Sequence, residues 1–308
     1  MKLSTPVPSQ TVEKQLDYDT RIVLLGSCFT ENIGLKLAYY GFQTTVNPFG
    51  IVFNPVSLEL LLRRSLTNDT FTETDVTSYF SYLAHSDLNG DTTQAVVDNL
   101  NYAGTSLLTA VENASHIFIT LGTSWVYELK STGAVVANCH KQPQDLFNKR
   151  LLSISEMTSA MNAMYQAIQH VNQNATITYT LSPVRHTKDG FVENQRSKAR
   201  LHECIQQQVD TGQSIYFPAY ELVMDELRDY RFYDRDMLHL NDLGVDCVWE
   251  RFRESVINTN AQQAMNAVAK YQQYKSHRPQ DGTKHAIQLE IMRTALLNTY
   301  SNIHINEE

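Results

Sequence analysis

The chain has 308 residues, of which 42% are hydrophobic and 19% are charged. These values are ordinary for a soluble globular protein with a sizeable core, and they exclude an intrinsically disordered chain. The formal net charge is -8, from 33 Asp and Glu against 25 Lys and Arg, and no basic cluster interrupts the acidic balance. Nucleic acid is therefore not an expected partner, because phosphate binding needs clustered cations.

The N-terminal segment MKLSTPVPSQTVEKQ lacks the apolar stretch of a signal peptide, and no later segment approaches the roughly 18 apolar residues of a membrane span. We therefore expect a cytoplasmic protein without membrane association. The cysteines are far apart and lack the spacing of metal ligands: Cys28, Cys139, Cys204 and Cys247. This pattern predicts reduced thiols and no metal site.

Apolar runs bounded by turn residues alternate with helical stretches, which is typical of a parallel sheet with crossover helices. Five runs predict strands, at residues 21–26, 44–46, 116–122, 176–181 and 215–220. Most are rich in Ile, Val, Leu or Tyr without strict alternation, as expected for strands that are covered on both faces. The predicted fold class is α/β, as a three-layer α/β/α sandwich on a five-stranded parallel sheet.

Two insertions and a tail accompany this core. Residues from about 54 to 113 predict a mostly helical insertion, and residues from about 125 to 139 predict a β-hairpin. The main domain is expected to span 1–258. A helical C-terminal extension, 259–308, is broken at 277–279 and is a candidate contact for homo-oligomers.

The last helix of the core is predicted from apolar residues at helical spacing: Val245, Val248, Trp249, Phe252 and Val256. Either Asn241 or Asp242 is available as its N-cap, since both residue types accept hydrogen bonds from the first turn of a helix. This helix is expected to pack back on the sheet.

Ser27 follows the first predicted strand directly and opens the first predicted helix. In an open α/β sheet, ligands bind at the carboxyl ends of the strands, where helix N-termini supply free N-H groups. Ser27 is therefore a candidate nucleophile, and a plain N-cap serine is the alternative. The neighbouring Cys28 is a rival nucleophile, because thiols at helix N-termini become acidic.

Asp236 stands three residues before His239, just ahead of the last predicted helix. A carboxylate at this spacing can fold under the imidazole, bond its Nδ1-H and leave Nε2 for a serine. The pair is thus a candidate orienter and general base. A solvated turn is the alternative interpretation.

Several sequence blocks closely resemble those of the GSCFA family: GSCF at 26–29, NPFGIVFNP at 47–55, TLGTSWVY at 120–127, NCHK at 138–141 and SPVRH at 182–186. Thr30 stands where the family name has Ala. The blocks lie between about 20 and 252, and with Asp-x-x-His before the last helix they also resemble the SGNH (GDSL-like) hydrolase superfamily. The resemblance implies a flavodoxin-like strand order and a triad of Ser27, His239 and Asp236.

The same resemblance implies an oxyanion hole built from three donors. These are the backbone N-H of Ser27, the backbone N-H of a second-block glycine, for which Gly50 is the candidate, and an asparagine of the third block. That asparagine is missing, because Ser124 occupies its place. Ser124 itself or Asn138 from the hairpin are the candidate substitutes, and loss of one donor costs on the order of 10²-fold to 10³-fold in rate.

Further polar residues are expected near the same edge of the sheet. Arg185 and His186 close the fourth predicted strand and could hold a substrate anion or carbonyl. His140, after the hairpin, and His85, in the insertion, are expected to overhang the site. For each of these residues, a surface role is the alternative.

These features predict a serine esterase or deacetylase that acts on small acyl esters or on an O-acetylated glycan. The chemistry requires no metal and no organic cofactor. One alternative is an acyltransferase that uses the same triad with a sugar hydroxyl in place of water. A noncatalytic carbohydrate-binding protein is the alternative outside the enzymes.

Overall fold

The structure is a computed structural model that describes residues 5–8, 11–277, 282–300 and 302–305. Arg278 and Pro279, which belong to the predicted break in the C-terminal extension, lie outside the described residues. The same is true of 1–4 and 9–10 within the N-terminal segment.

Eight strands form two sheets in the described part of the chain. In chain order they are β1 (Arg21–Gly26), β2 (Gln43–Val46), β3 (His116–Leu121), β4 (Trp125–Leu129), β5 (Val135–Val136), β6 (Phe147–Leu151), β7 (Thr176–Leu181) and β8 (Ile215–Tyr216). The central sheet has the order β2-β1-β3-β7-β8 with every pairing parallel. This is the flavodoxin-like order, so the predicted five-stranded parallel sheet is confirmed.

The helices lie mainly between the strands. They are α1 (Cys28–Tyr39), α2 (Pro55–Leu66), α3 (Thr93–Asn113), α4 (Ile154–Val171), α5 (Phe191–Asp210), α6 (Ala219–Glu221), α7 (Asp242–Val256), α8 (Thr259–Ser276) and α9 (Gly282–Thr299). No helix in the described ranges is both long enough and apolar enough to cross a membrane.

Alternate side chains of β1 pack into the two hydrophobic cores on either face of the central sheet. Val23 and Leu25 pack in the core covered by α2 to α5, whereas Ile22 and Leu24 pack in the core covered by α1, α7 and α8. Successive side chains of a strand point to opposite faces, so a strand with apolar residues throughout is buried on both. The three-layer arrangement follows from this pattern.

The last strand is shorter than predicted. β8 ends at Tyr216, whereas the predicted run continued to residue 220. Pro218 has no backbone N-H for a strand ladder, and the helical residues of α6 begin immediately after it.

Helix α7 begins at Asp242, and Asn241 is its N-cap. The Asn241 Oδ1 accepts a hydrogen bond of 3.0 Å from the Gly244 N-H, which satisfies one of the free donors of the first turn. Trp249 of this helix stacks on Tyr40 with ring centroids 5.6 Å apart. The cap and the stack fix the position at which the chain enters the helix from the preceding loop.

The small sheet has the order β5-β4-β6 and is antiparallel. The sequence analysis anticipated β4 and β5 but not β6. The β6 segment FNKRL exposes Asn148 and Lys149 and carries no apolar alternation, so it gives little strand signal. This sheet stands beside the carboxyl ends of the central strands.

The C-terminal helices fold back on the sandwich. Ala261, Met265 and Val268 of α8 are buried in the same core as α7. The chain after α9 reaches the end of α1, where the His304 N-H donates a 2.9 Å hydrogen bond to the Gly41 carbonyl. The described part of the extension is therefore packed on the domain.

Candidate active site

Ser27 sits in a turn that only glycine can precede. Gly26 has φ +129°, and a Cβ there would lie 2.1 Å from the Thr120 carbonyl oxygen. Ser27 is the N-cap of α1, but its side chain makes no capping hydrogen bond. Its Oγ is buried, has no partner among the described residues, and the residue is 4% exposed. Since buried polar groups normally find a partner, this hydroxyl is not explained by a capping role.

Asp236 and His239 form a hydrogen-bonded pair. The His239 Nδ1 lies 2.6 Å from the Asp236 Oδ2, and the Asp236 Oδ1 accepts 2.9 Å bonds from the N-H groups of Leu238 and His239. Met237 has φ 61° and tightens the turn between them. The hydrogen bond from His239 and the backbone donors lower the pKa of Asp236 to about 2.

Ser27 and His239 line one cavity of about 560 Å³ at the carboxyl edge of the central sheet. Asn138, Arg185 and His186 line it as well. The Ser27 hydroxyl makes no hydrogen bond with His239 within the described chain, and such contacts are often loose without substrate. With Cys28 and His85, which also line the cavity, seven of the residues singled out in the sequence meet here, and Asp236 joins them through its bond to His239.

Ser124 does not face this cavity, and the expectation that it replaces the missing asparagine is wrong. It is completely buried. Its Oγ donates to the Ser197 carbonyl at 3.2 Å and lies 3.0 Å from the Ser197 hydroxyl. The preceding Thr123 lines the cavity instead. Because successive residues of an extended segment point to opposite sides, Ser124 is directed toward α5.

Both predicted backbone donors are engaged elsewhere, which corrects the expected oxyanion hole. The Gly50 N-H donates to the Asn47 carbonyl at 2.7 Å, which closes a turn, and the Ser27 N-H donates to the Thr120 carbonyl at 3.2 Å. Asn47 in turn accepts a 2.8 Å bond from the Gly26 N-H through its Oδ1. The segment 47–50 therefore stabilises the turn that contains Ser27.

Other donors face the cavity. The Asn138 Oδ1 accepts a 2.8 Å bond from the His140 N-H, while its Nδ2 has no partner in the described part of the molecule. The backbone N-H groups of 51–54, a segment whose Ile51, Phe53 and Asn54 line the cavity, likewise donate to no described residue. These groups are candidate hydrogen-bond donors on or next to residues that line the cavity.

His140 was expected to overhang the site, and the structure corrects this expectation. The His140 Nε2 lies 2.8 Å from the Ser81 carbonyl and 3.2 Å from the Ala84 carbonyl. Its ring stacks on Phe80 at 4.5 Å. His140 therefore ties the chain after β5 to the insertion. His85, by contrast, does line the cavity.

His186 presents an imidazole to the cavity. Its ring packs against Phe53 at 5.2 Å, and its backbone N-H donates to the Asn194 side chain at 2.8 Å. Burial and the positive charge of Lys198 lower the pKa of His186 to about 4. At neutral pH this imidazole carries no charge.

Lys198 is a site residue that the sequence analysis missed. It is 1% exposed, and its Nζ donates to the carbonyls of Gly122 and Ser182 at 2.7 and 2.6 Å. It thus joins the ends of β3 and β7 beneath the cavity. Burial lowers the pKa of Lys198 to about 7. The available signal was a lysine between Asn194 and Leu201 on the buried face of α5.

Cys28 shows no feature of an activated thiol. Burial and the nearby charge of Glu31 raise its pKa, whereas reactive cysteines have a lowered pKa. All four cysteines are free, and no group of three or more His, Cys, Asp or Glu side chains within the described ranges could hold a metal ion.

The chain was compared with protein-family models and with curated proteins. The family model described as the GSCFA family matches residues 21–252. This range begins with β1 and ends within α7, so it contains both Ser27 and the Asp236-His239 turn. No curated protein matches the chain.

Proposed function

The chain belongs to the GSCFA family, and from the geometry of its cavity we propose that it is a serine hydrolase of the SGNH type that cleaves ester bonds. One observation carries this proposal. A buried serine hydroxyl without a hydrogen-bond partner among the described residues shares a cavity with a histidine whose Nδ1 is bound to a carboxylate. That is the arrangement of nucleophile, base and orienter that acyl transfer requires.

In the proposed reaction, His239 Nε2 takes the Ser27 proton while Ser27 Oγ attacks the ester carbonyl carbon. The tetrahedral intermediate collapses with cleavage of the bond to the alcohol oxygen, and His239 returns the proton to that leaving group. Water, deprotonated by His239, then attacks the acyl-serine and releases the acid. Asp236 stays ionised and holds the imidazole through Nδ1.

The negative charge of the intermediate needs hydrogen-bond donors that are free in the resting protein. The Asn138 Nδ2 and the N-H groups of 51–54 meet this condition, because none of them donates to a described residue. We assign the oxyanion to these groups in place of Gly50 and Ser124.

The walls of the cavity support an ester of a ring-containing alcohol as substrate. Trp125 and Tyr127 of β4 and Phe53 line it, and aromatic faces bind the apolar face of a flat or cyclic group. The volume of about 560 Å³ lies in the usual range for a small-molecule site. An O-acetylated sugar fits this description.

A fluorophosphonate probe tests the proposal, because it reacts with activated serines. The full-length protein should be labelled at Ser27, which peptide mass spectrometry identifies. Ser27→Ala should abolish labelling, and Cys28→Ala should retain it. If the folded wild-type protein is not labelled, the serine is not activated and the noncatalytic carbohydrate-binding alternative gains support.

Acyl transfer is a second candidate because Ser27 is only 4% exposed although it lines the cavity. Limited access of water favours an alcohol acceptor over hydrolysis. Adding a sugar acceptor during ester turnover separates the two activities. Formation of the acylated sugar at the expense of free acid indicates a transferase, and an unchanged yield of free acid indicates a hydrolase.

A further inference from the structure

Arg185 is an unpaired cation at the wall of the active-site cavity. It follows β7, is half-buried, and lines the cavity that contains Ser27. Its Nε is buried without a partner, and its guanidinium forms no hydrogen bond or ion pair with any residue that the structure describes. An arginine stays charged at every accessible pH. A partly desolvated charge without a partner is unfavourable, so this side chain is suited to an anionic ligand.

Arg185 also borders a second pocket. This pocket, which we call the arginine pocket, has a volume of about 380 Å³ and is lined by Arg185, Arg228, Tyr230 and Tyr233 together with the apolar side chains of Val223 and Met224. The same guanidinium therefore lies between the arginine pocket and the cavity of Ser27. A ligand that reaches from one to the other would pass Arg185.

The charges around the arginine pocket favour an anion. Asp229 also lines it, but the Asp229 carboxylate lies 2.9 Å from the Arg231 guanidinium, which neutralises it. Arg228 has no hydrogen bond or ion pair within the described residues. Burial raises the pKa of Tyr233, and the nearby positive charge of Arg185 opposes this rise. Among the described residues that line the pocket, Arg185 and Arg228 are therefore cations without an ion pair, and the one carboxylate, that of Asp229, is paired with Arg231.

The pocket also offers exposed aromatic surface. Tyr230 is 66% exposed, and its ring lies 5.8 Å from that of Tyr233. A large exposed aromatic residue beside an unpaired arginine is a combination enriched where proteins bind partners or ligands. The apolar part of an acidic substrate can pack on these rings while its charged group meets the guanidinium.

We propose that the ester substrate carries a carboxylate or phosphate group that binds Arg185, and that the arginine pocket holds this acidic part while the acyl group reaches Ser27. The proposal rests on the hydrolase function proposed above and narrows its substrate to esters of acidic molecules. The guanidinium supplies a planar fork of donors that matches two oxygens of either anion. Arg228 adds a second positive charge at the far side of the pocket.

Selectivity between matched esters tests this assignment. The 2-, 3- and 4-acetoxybenzoates are compared with their methyl esters, which differ from them in the charge of the alcohol part. The best acid should have a kcat/KM about 10-fold to 100-fold higher than that of its own methyl ester. This ratio corresponds to the binding free energy of one charge-assisted hydrogen-bonded contact. Acetoxyphenyl phosphate is measured beside them and distinguishes a phosphate preference from a carboxylate preference.

Arg185→Gln should reduce this ratio to near one, and Arg185→Lys should leave an intermediate ratio because the charge remains without the fork. Arg63→Gln is the matched control. Arg63 is an exposed arginine of α2 that pairs with Glu59 and lines neither cavity, so the ratio should keep its wild-type value. The Arg185 guanidinium has no described partner to lose, so its replacement should not unfold the protein.

Binding without turnover separates this inference from the hydrolase proposal. Calorimetry with Ser27→Ala measures the affinity of the intact acetoxybenzoates and of their methyl esters. A preference for the acid that disappears with Arg185→Gln supports the inference even if Ser27 is never labelled by a fluorophosphonate. Labelling of Ser27 without any preference for the acid, in binding or in turnover, overturns the inference and leaves the hydrolase proposal standing.

Discussion

His239 is held by Asp236 through two separate groups. The imidazole Nδ1 lies 2.6 Å from one carboxylate oxygen, and the backbone N-H of His239 donates to the other at 2.9 Å. The same side chain therefore sets both the course of the backbone and the direction of the ring. Because Nδ1 is bound to Asp236, Nε2 is the nitrogen available for the proton transfer of the proposed reaction.

Replacing Asp236 by Asn should impair turnover far more than folding. The amide keeps an acceptor for the backbone turn but no longer stabilises the imidazolium or selects its tautomer, so kcat should fall by about 10²-fold to 10⁴-fold. Steady-state kinetics with p-nitrophenyl acetate measures this loss, and circular dichroism checks the fold. A variant with full kcat would remove Asp236 from the triad.

The pH dependence should identify the base. Hydrolysis requires a general base at His239, so kcat/KM should rise with pH. Asp236, with a pKa of about 2, stays ionised across the range. Profiles between about pH 3 and about pH 9 should lose the rise in His239→Gln. If kcat/KM still rises with a midpoint at about pH 4 in this variant, the base is His186 instead, because burial lowers the pKa of His186 to about 4.

Asn138 and Ser124 should separate into a kinetic and a structural role. Asn138→Ala should lower kcat by about 10-fold to 10³-fold with little change in KM, since an oxyanion donor acts in the transition state. Ser124→Ala should leave kcat unchanged and lower the free energy of unfolding by about 1 to 3 kcal/mol, because it removes a buried bond to Ser197. Kinetics and denaturant titration of both variants check this assignment. A loss of kcat in Ser124→Ala with an unchanged kcat in Asn138→Ala would contradict it.

Lys198 should make the stability depend on pH in the alkaline range. Its pKa falls from 10.5 to about 7 on burial, so between these values the unfolded chain binds more protons than the folded chain. The free energy of unfolding should therefore rise with pH over this window, by at most about 1.4 kcal/mol per pH unit. Melting temperatures measured against pH should show this rise in the wild type and a flatter curve in Lys198→Met. Parallel curves would contradict the lowered pKa of the buried Lys198.

The sheet could be predicted because its strands carry a strong local signal. In β3 every residue is buried, and such unbroken apolar runs mark a strand covered on both faces. The β6 strand lacks that signal, since its pairing with β4 comes from tertiary context and its side chains are largely exposed. Local propensity gives way to such context in short strands.

The site could be predicted only in part, because some of its features depend on contacts between segments that are distant in sequence. The spacing of Asp236 and His239 is local, and the turn that joins them is short. Whether a backbone N-H such as that of Gly50 is free depends on which carbonyl lies next to it in the folded loop. For Gly50 that carbonyl belongs to Asn47. Lys198 was missed because burial of a charge depends on two strand ends that are distant in sequence.

The position of the Asp236-His239 turn, directly before α7, bears on how the protein acquires activity. Ser27 and the residues that hold its turn, Asn47 and Thr120, lie in the first half of the chain, whereas the Asp236-His239 turn is placed only when α7 has docked, with Trp249 stacked on Tyr40. Under the proposed function, a chain still leaving the ribosome would carry the serine without its base. Reactivity toward esters would then be delayed until nearly the whole domain has been made.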